Sequence, residues 1–161
     1  MGRIDLSLLL LLIALLPLSC EKGAGIPATG PMTGVKPLYD QTADHAYLSG
    51  QAGAQAGYAV ASAGDVNGDG YDDLIVGAHY YDNGQTDEGA VFILHGSASG
   101  LSTTPDTTIE SDQAYTYFGI SVAPAGDVNG DGFDDIVVGA YLYDHGQTDE
   151  GAAFVYLGSA A

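Results

Sequence analysis

From about residue 57 onward, short apolar runs alternate with breaks rich in glycine and aspartate, and no run is long enough for a helix. Tyr58–Ala63 alternates large and small side chains, the period of a half-buried strand. Leu74–Ala78 is a compact apolar run, which predicts a strand covered on both faces. A polar stretch then leads to a third strand at Ala90–His95 and a fourth at Thr107–Ser111. His45–Ser49, placed 62 positions before Thr107–Ser111, is expected to be the matching fourth strand of a preceding unit. After the first twenty residues no segment carries the 3.6-residue apolar period of a helix, so the expected class is all-β.

The pattern repeats. Residues 57–98 align without gaps on residues 119–160 at a constant offset of 62, with Leu74 facing Ile136 and Tyr71 facing Phe133. Apolar positions stay apolar and acids stay acidic between the two copies. Four short strands in a unit of this length match a β-propeller blade, whereas solenoid repeats are shorter and sandwiches lack such self-similarity. The expected domain is 38–161, built from repeats at about 57–111 and 119–161 as part of a propeller.

Charge changes this picture by adding chemistry. The chain has 21 Asp+Glu against 3 Lys+Arg, a formal net charge of −18, which argues against any nucleic-acid partner. The acids do not form one solvating run. Asp65, Asp69, Asp72 and Asp73 make one cluster, and Asp127, Asp131, Asp134 and Asp135 make its copy. In the first loop Asp65, Asn67 and Asp69 can present side-chain oxygens at alternate positions, the Tyr71 carbonyl a further oxygen, and Asp73 closes the set. Asp127, Asn129, Asp131, the Phe133 carbonyl and Asp135 do the same in the second. Calcium takes about 6–8 oxygens in flexible geometry, so two calcium ions are the expectation. Gly70 and Gly132 stand where such a loop must turn sharply, favouring positive φ.

A solvated turn is the alternative, because Asp, Asn and Gly favour turns without any metal. Against it, three carboxylates this close repel one another, and the arrangement occurs twice. Neither loop offers nitrogen or sulfur, which disfavours zinc and copper. An EF-hand requires Glu at position 12 and flanking helices; Val76 and Val138 occupy that position, inside strand-like runs. Dockerin loops share the opening Asp-Val-Asn-Gly-Asp-Gly but also lead into helices.

Residues 1–20 read as an export signal, with Arg3 ahead of an apolar run from Leu6 to Leu16. The 13 residues from Leu6 to Leu18 are too few to span a bilayer comfortably. Cys20 directly after Leu18-Ser19 resembles a bacterial lipoprotein signal, in which the cysteine carries the lipid. Pro17 and Asp5 depart from that pattern, and ordinary secretion or membrane retention is the alternative. Residues 21–37 are rich in Gly, Ala, Thr and Pro and form the expected tether. As the sole cysteine, Cys20 cannot make an intramolecular disulfide.

Phe118-Gly119, the loop Asp127–Asp135 and Gly139-Ala140 together resemble the FG-GAP repeat of integrin α-chain propellers and related bacterial proteins. The first copy has Ala56-Gly57, Asp65–Asp73 and Gly77-Ala78, while His79 and Tyr141 replace the final proline of the motif. The resemblance implies seven blades in a complete propeller, with calcium bracing the loop between the first two strands of a blade. Two repeats and one preceding strand therefore imply a fragment, or assembly of several copies.

The leading functional expectation is a module at the cell envelope or secreted that mediates adhesion or holds a protein or glycan ligand, touching the membrane only through its anchor. An accessory segment of a larger secreted hydrolase and a purely structural envelope protein are the alternatives. No catalytic residues are assigned, since no Ser/His/Asp or Cys/His set emerges, and His45, His79, His95 and His145 lack metal spacing. The duplicated stretches 81–88 and 143–150 are expected to be polar turns introducing the third strand, with ligand contact as the alternative.

Overall fold

The computed structural model describes residues 43–160; the leader, Cys20 and the 21–37 tether lie outside them. Among the described residues there is no helix. Seven strands form: β1 (Ala59–Gly64), β2 (Asp73–Ala78), β3 (Ala90–Leu94), β4 (Thr107–Glu110), β5 (Ser121–Gly126), β6 (Asp135–Ala140) and β7 (Ala152–Tyr156). They make two antiparallel sheets, β1-β2-β3-β4 and β5-β6-β7, each in simple up-and-down order. These are propeller-type blades, one of four strands and one of three, and the all-β expectation holds.

One expected strand is absent. His45–Ser49 has no strand pairing, although its counterpart Thr107–Glu110 ladders against Ala90–Ile93 of its own blade. A fourth strand exists only where a third strand offers it a ladder, and no described strand pairs with His45–Ser49. The segment still does packing work, because the Tyr47 ring sits 5.0 Å from that of Phe92.

The apolar run of β2 is covered on both faces, as its lack of alternation predicts. Ile75, Val91 and Ile93 point into a core shared with Phe118, Ile136, Val138 and Ala140 of the second repeat. Val76, Ala78, Ala90, Phe92 and Leu94 point the other way, into a second core with Ala54, Tyr47 and Tyr81. Strand geometry sends successive side chains to opposite faces, so one sheet serves two cores.

The blades meet through backbone as much as through side chains. Phe118 is fully buried between them, its ring 5.6 Å from Phe154. Gly119 follows at φ 81, and its amide donates to the Gly139 carbonyl at 3.1 Å. A Cβ on Gly77 would strike the Gly119 carbonyl oxygen, and a Cβ on Gly119 would meet the Ala90 carbonyl at 2.6 Å. Phenylalanine fills the seam, and glycine lets the chains close on it. In the first copy Gly57 donates to Gly77 in the same way, at 3.1 Å.

A second joint lies at the loop end of the seam. The Asp134 side chain accepts the Asp65 amide at 2.9 Å, while the Asp134 amide donates to the Asp65 carbonyl at 3.0 Å. Ser159 adds a bond from its amide to the Val66 carbonyl at 2.9 Å. Asp72, the copy of Asp134, is exposed.

Two outcomes follow for stability. Phe118→Ala is expected to destabilise the protein by about 3–5 kcal/mol, as for other buried aromatic truncations, in a urea melt. Asp134→Asn should cost about 1–3 kcal/mol by weakening a charge-assisted bond to a backbone amide, whereas Asp72→Asn should stay within about 0.5 kcal/mol of wild type. Equal melts for the two Asp variants would show that the Asp134 joint carries no stability.

Candidate metal centre

A bulge at the end of β1, between Ser62 and Gly64, turns the chain out of the sheet and into the first acidic loop. The corresponding bulge in β5 lies between Pro124 and Gly126. Each loop then runs back directly into a strand, β2 or β6, with no helix on either side. That is the geometry expected from the valines at position 12, and it differs from an EF-hand.

Within the first loop the carboxylates collect backbone amides. Asp65 Oδ1 accepts from Gly68 at 2.7 Å and Asp69 at 3.0 Å, and its Oδ2 accepts from Gly70 at 2.9 Å. Asn67 Oδ1 accepts from the Asp69 amide at 2.9 Å, and Asp69 Oδ1 accepts from Tyr71 at 2.9 Å. The Asn67 amide group donates to Asp69 Oδ2 at 3.0 Å. Gly68 and Gly70 have φ of 76 and 89, the left-handed turn that lets consecutive amides face inward.

The second loop repeats every bond. Asp127 takes the amides of Gly130, Asp131 and Gly132 at 2.7, 3.1 and 2.9 Å. Asn129 takes Asp131 at 3.0 Å, Asp131 takes Phe133 at 3.0 Å, and the Asn129 amide group reaches Asp131 Oδ2 at 2.8 Å. Gly130 and Gly132 have φ of 77 and 95. The sequence copy is therefore a structural copy, bond for bond.

Asp73 and Asp135 stand apart from the other aspartates of the two loops, because both are buried, at 2% and 0% exposure. Asp73 Oδ2 accepts the Val66 amide at 3.0 Å and its Oδ1 accepts the Gly96 amide at 2.8 Å. Asp135 does the same with Val128 and Gly158, both at 2.8 Å. Burial pushes the Asp73 carboxyl above the ordinary carboxylate range; the Gly96 and Val66 amides and His95 pull it back, and Asp69 adds to the rise.

The donor set is of the oxygen type a hard cation takes, but among the described residues Asp65, Asp69 and Asp73 do not bring one carboxylate oxygen each within 4.8 Å of one another, nor do Asp127, Asp131 and Asp135. Counting about four acceptor sites per carboxylate and two per amide oxygen, Asp65, Asn67, Asp69 and Asp73 each retain a free site after their bonds are made. All donors are oxygen. Tyr71 stands at the exposed end of its loop, while the Phe133 ring of the second loop lies against Gly68 of the first. The two loops are thus neighbours at one end of the blades, tied by Asp134.

A different trio meets more closely. Among the described residues, the acids that bring one carboxylate oxygen each within 4.8 Å of the others are Glu88, Glu110 and Asp112. Sequence reasoning placed Glu88 in a polar turn and did not single out the other two. The turn is there, but Glu88 is fully buried. Nothing in local spacing links it to residues more than twenty positions away, at the end of β4 and just after it.

Comparison with known proteins identifies the repeat. A model of the FG-GAP repeat matches residues 56–94 and 118–156. The chain is 45% identical over 89 residues to integrin alpha pat-2 of Caenorhabditis elegans, covering 53% of this chain and 7% of that protein. It is 40% identical over 93 residues to human integrin alpha-6, covering 58% and 8%. Mouse integrin alpha-IIb is 32% identical over 152 residues, or 89% of this chain and 14% of its own length. The chain thus matches only a small part of each of these relatives. With Phe118-Gly119 clamped on Gly139-Ala140 and an acidic loop opening each blade, this chain is an FG-GAP repeat protein, similar over its repeats to integrin α chains.

Proposed function

We propose that this chain is a calcium-braced FG-GAP module of an exported, lipid-anchored protein that holds a protein or glycan partner through its propeller surface. The observation that carries the calcium reading is the bond-for-bond duplication of the two acidic loops. Asp65, Asn67, Asp69, the Tyr71 carbonyl and Asp73 would hold one ion. Asp127, Asn129, Asp131, the Phe133 carbonyl and Asp135 would hold the other. The ion would neutralise carboxylates that the loops have already oriented with their own amides, so it would stiffen the end of the blade where the loops touch.

Export and anchoring rest on residues 1–20 and on Cys20, and the family supports a binding role rather than a catalytic one. Asp and Asn crowd one end of the blades. A partner reading that end would meet a rigid, calcium-bridged surface instead of loose acidic turns.

Thermal melts of the full chain in calcium and in EDTA test the metal. A ligand that binds only the folded state stabilises it by about 2.7 kcal/mol at a hundredfold excess over Kd. The midpoint should rise with calcium, and the rise should vanish in the Asp69→Ala, Asp131→Ala double variant. A cooperative melt indifferent to calcium sinks the reading. For the anchor, Cys20→Ala should move the protein from the membrane fraction to the soluble fraction and abolish labelling by a radioactive fatty acid. Labelling that survives the substitution rejects Cys20 as the lipidated residue.

A further inference from the structure

Glu88 ends the turn before β3, and it is held there firmly. Its carbonyl accepts the Phe118 amide at 3.0 Å, the Thr116 hydroxyl at 2.7 Å and the Ser111 hydroxyl at 3.0 Å. Its carboxylate is fully buried. Oε1 accepts the amide of Asn83 at 2.5 Å and that of Gln85 at 3.4 Å, while Oε2 is buried with no partner at all. The same turn buries a second acceptor without a donor, Gln85 Oε1.

Two further carboxylates converge on this unsatisfied group. Glu110 comes from the end of β4 and Asp112 from the segment just after it, and the three residues bring an oxygen each within 4.8 Å of one another. The side-chain donor recorded there is neutral: Asn83 Nδ2 reaches Glu110 Oε1 at 3.0 Å and Oε2 at 2.8 Å. Lys and Arg occur in the chain only as Arg3, Lys22 and Lys36, so the described residues contain neither. A buried, uncompensated carboxylate beside two others is unfavourable without a positive charge. Every orphaned atom in the turn is a hard oxygen acceptor.

We propose that Glu88, Glu110 and Asp112 form a third cation site, for a hard divalent ion of the calcium class, separate from the two acidic loops. Three carboxylates supply hard oxygens and no nitrogen or sulfur, the chemistry calcium prefers over zinc or copper. The site lies where one blade hands over to the next. Residues 111–118 cap Glu88 of the first blade, and Gln113 in the same stretch clamps the second blade by accepting the Asp144 amide at 2.8 Å and donating to the Asp144 carbonyl at 3.2 Å. An ion held by Glu88, Glu110 and Asp112 would fasten that connecting stretch to the first blade.

Calcium stoichiometry on the chelator-stripped full chain, by calorimetric titration with calcium alone, tests the site. The Glu110→Gln, Asp112→Asn double variant changes two surface-accessible groups and should fold, which circular dichroism checks. It should bind one ion fewer than wild type, while Asp69→Ala, Asp131→Ala should keep one ion that disappears when the two sets are combined. Equal stoichiometry and affinity in wild type and the Glu110, Asp112 variant would overturn the proposal. Equal binding in wild type and the Asp69, Asp131 variant would instead reject the loop sites, so the two failures are distinct. Should the double variant not fold, Glu88→Gln serves in its place. It should lose the same ion and melt higher than wild type in EDTA, and a folded Glu88→Gln that keeps every ion also overturns the site.

Discussion

Each blade is organised around one buried carboxylate. Asp73 begins β2, yet its two oxygens reach the Val66 amide at the start of the acidic loop and the Gly96 amide just past β3. Three pieces of chain that sequence separates are thereby fixed to one side chain, and Asp135 repeats the arrangement with Val128 and Gly158. Hydrogen bonds to an ionised group are worth about 1.5–3 kcal/mol each, but burial of the charge works against them. The upward displacement of the Asp73 carboxyl records that conflict. A positive charge placed near Asp73 would offset the cost of burying its carboxylate without removing either amide bond.

The remaining architecture follows from having that anchor. With Asp73 fixing the loop to both β2 and the exit from β3, the loop's glycines present Val66 and Asp65 to the second repeat, where Ser159 and Asp134 bond to them. At the other end of the seam Phe118 fills the space between sheets while Gly119 and Gly77 allow the backbones to touch. Apolar packing therefore sets the distance between blades, and polar bonds at the loop end set their register. Glu88 belongs to the same logic. Its backbone carbonyl collects three donors from the stretch that leads into β5, and that stretch covers its carboxylate.

The legible parts of the sequence were those whose cause is local. Strands at 74–78 and 90–95 could be read because continuous apolar runs bounded by turns leave few alternatives, and both lie within a residue of β2 and β3. The acidic loops were legible as tight turns because their side-chain acceptors and the backbone amides that donate to them sit within a few positions of one another. His45–Ser49 failed for the opposite reason: a strand is a relation to a neighbour, and repeat spacing does not provide the neighbour. Asp134 and Asp72 look alike in sequence, but among the described residues Asp134 bonds to the other acidic loop and Asp72 does not. The convergence of Glu88 with Glu110 and Asp112 depends on β3 and β4 lying antiparallel, with Ala90 opposite Glu110. No local pattern contains that register.

The two copies of the turn before the third strand show how far identical sequence is from identical environment. Gln85-Thr86-Asp87-Glu88-Gly89 and Gln147-Thr148-Asp149-Glu150-Gly151 are the same five residues, and Asp87 and Asp149 share a left-handed φ of 49 and 54. The backbone copies faithfully, since Asp82 accepts the Asp87 amide as Asp144 accepts that of Asp149. Glu88 is nonetheless fully buried and Glu150 exposed. Residues 111–118 lie over the first turn, where the amides of Tyr115, Tyr117 and Phe118 donate to the carbonyls of Thr86, Asp87 and Glu88. Local sequence thus fixes the shape of the turn, and the burial of Glu88 comes with the segment that leads to the next blade. In a repeat protein the chemistry of a residue is a property of the joint between units, and that is where Glu88 acquires its own.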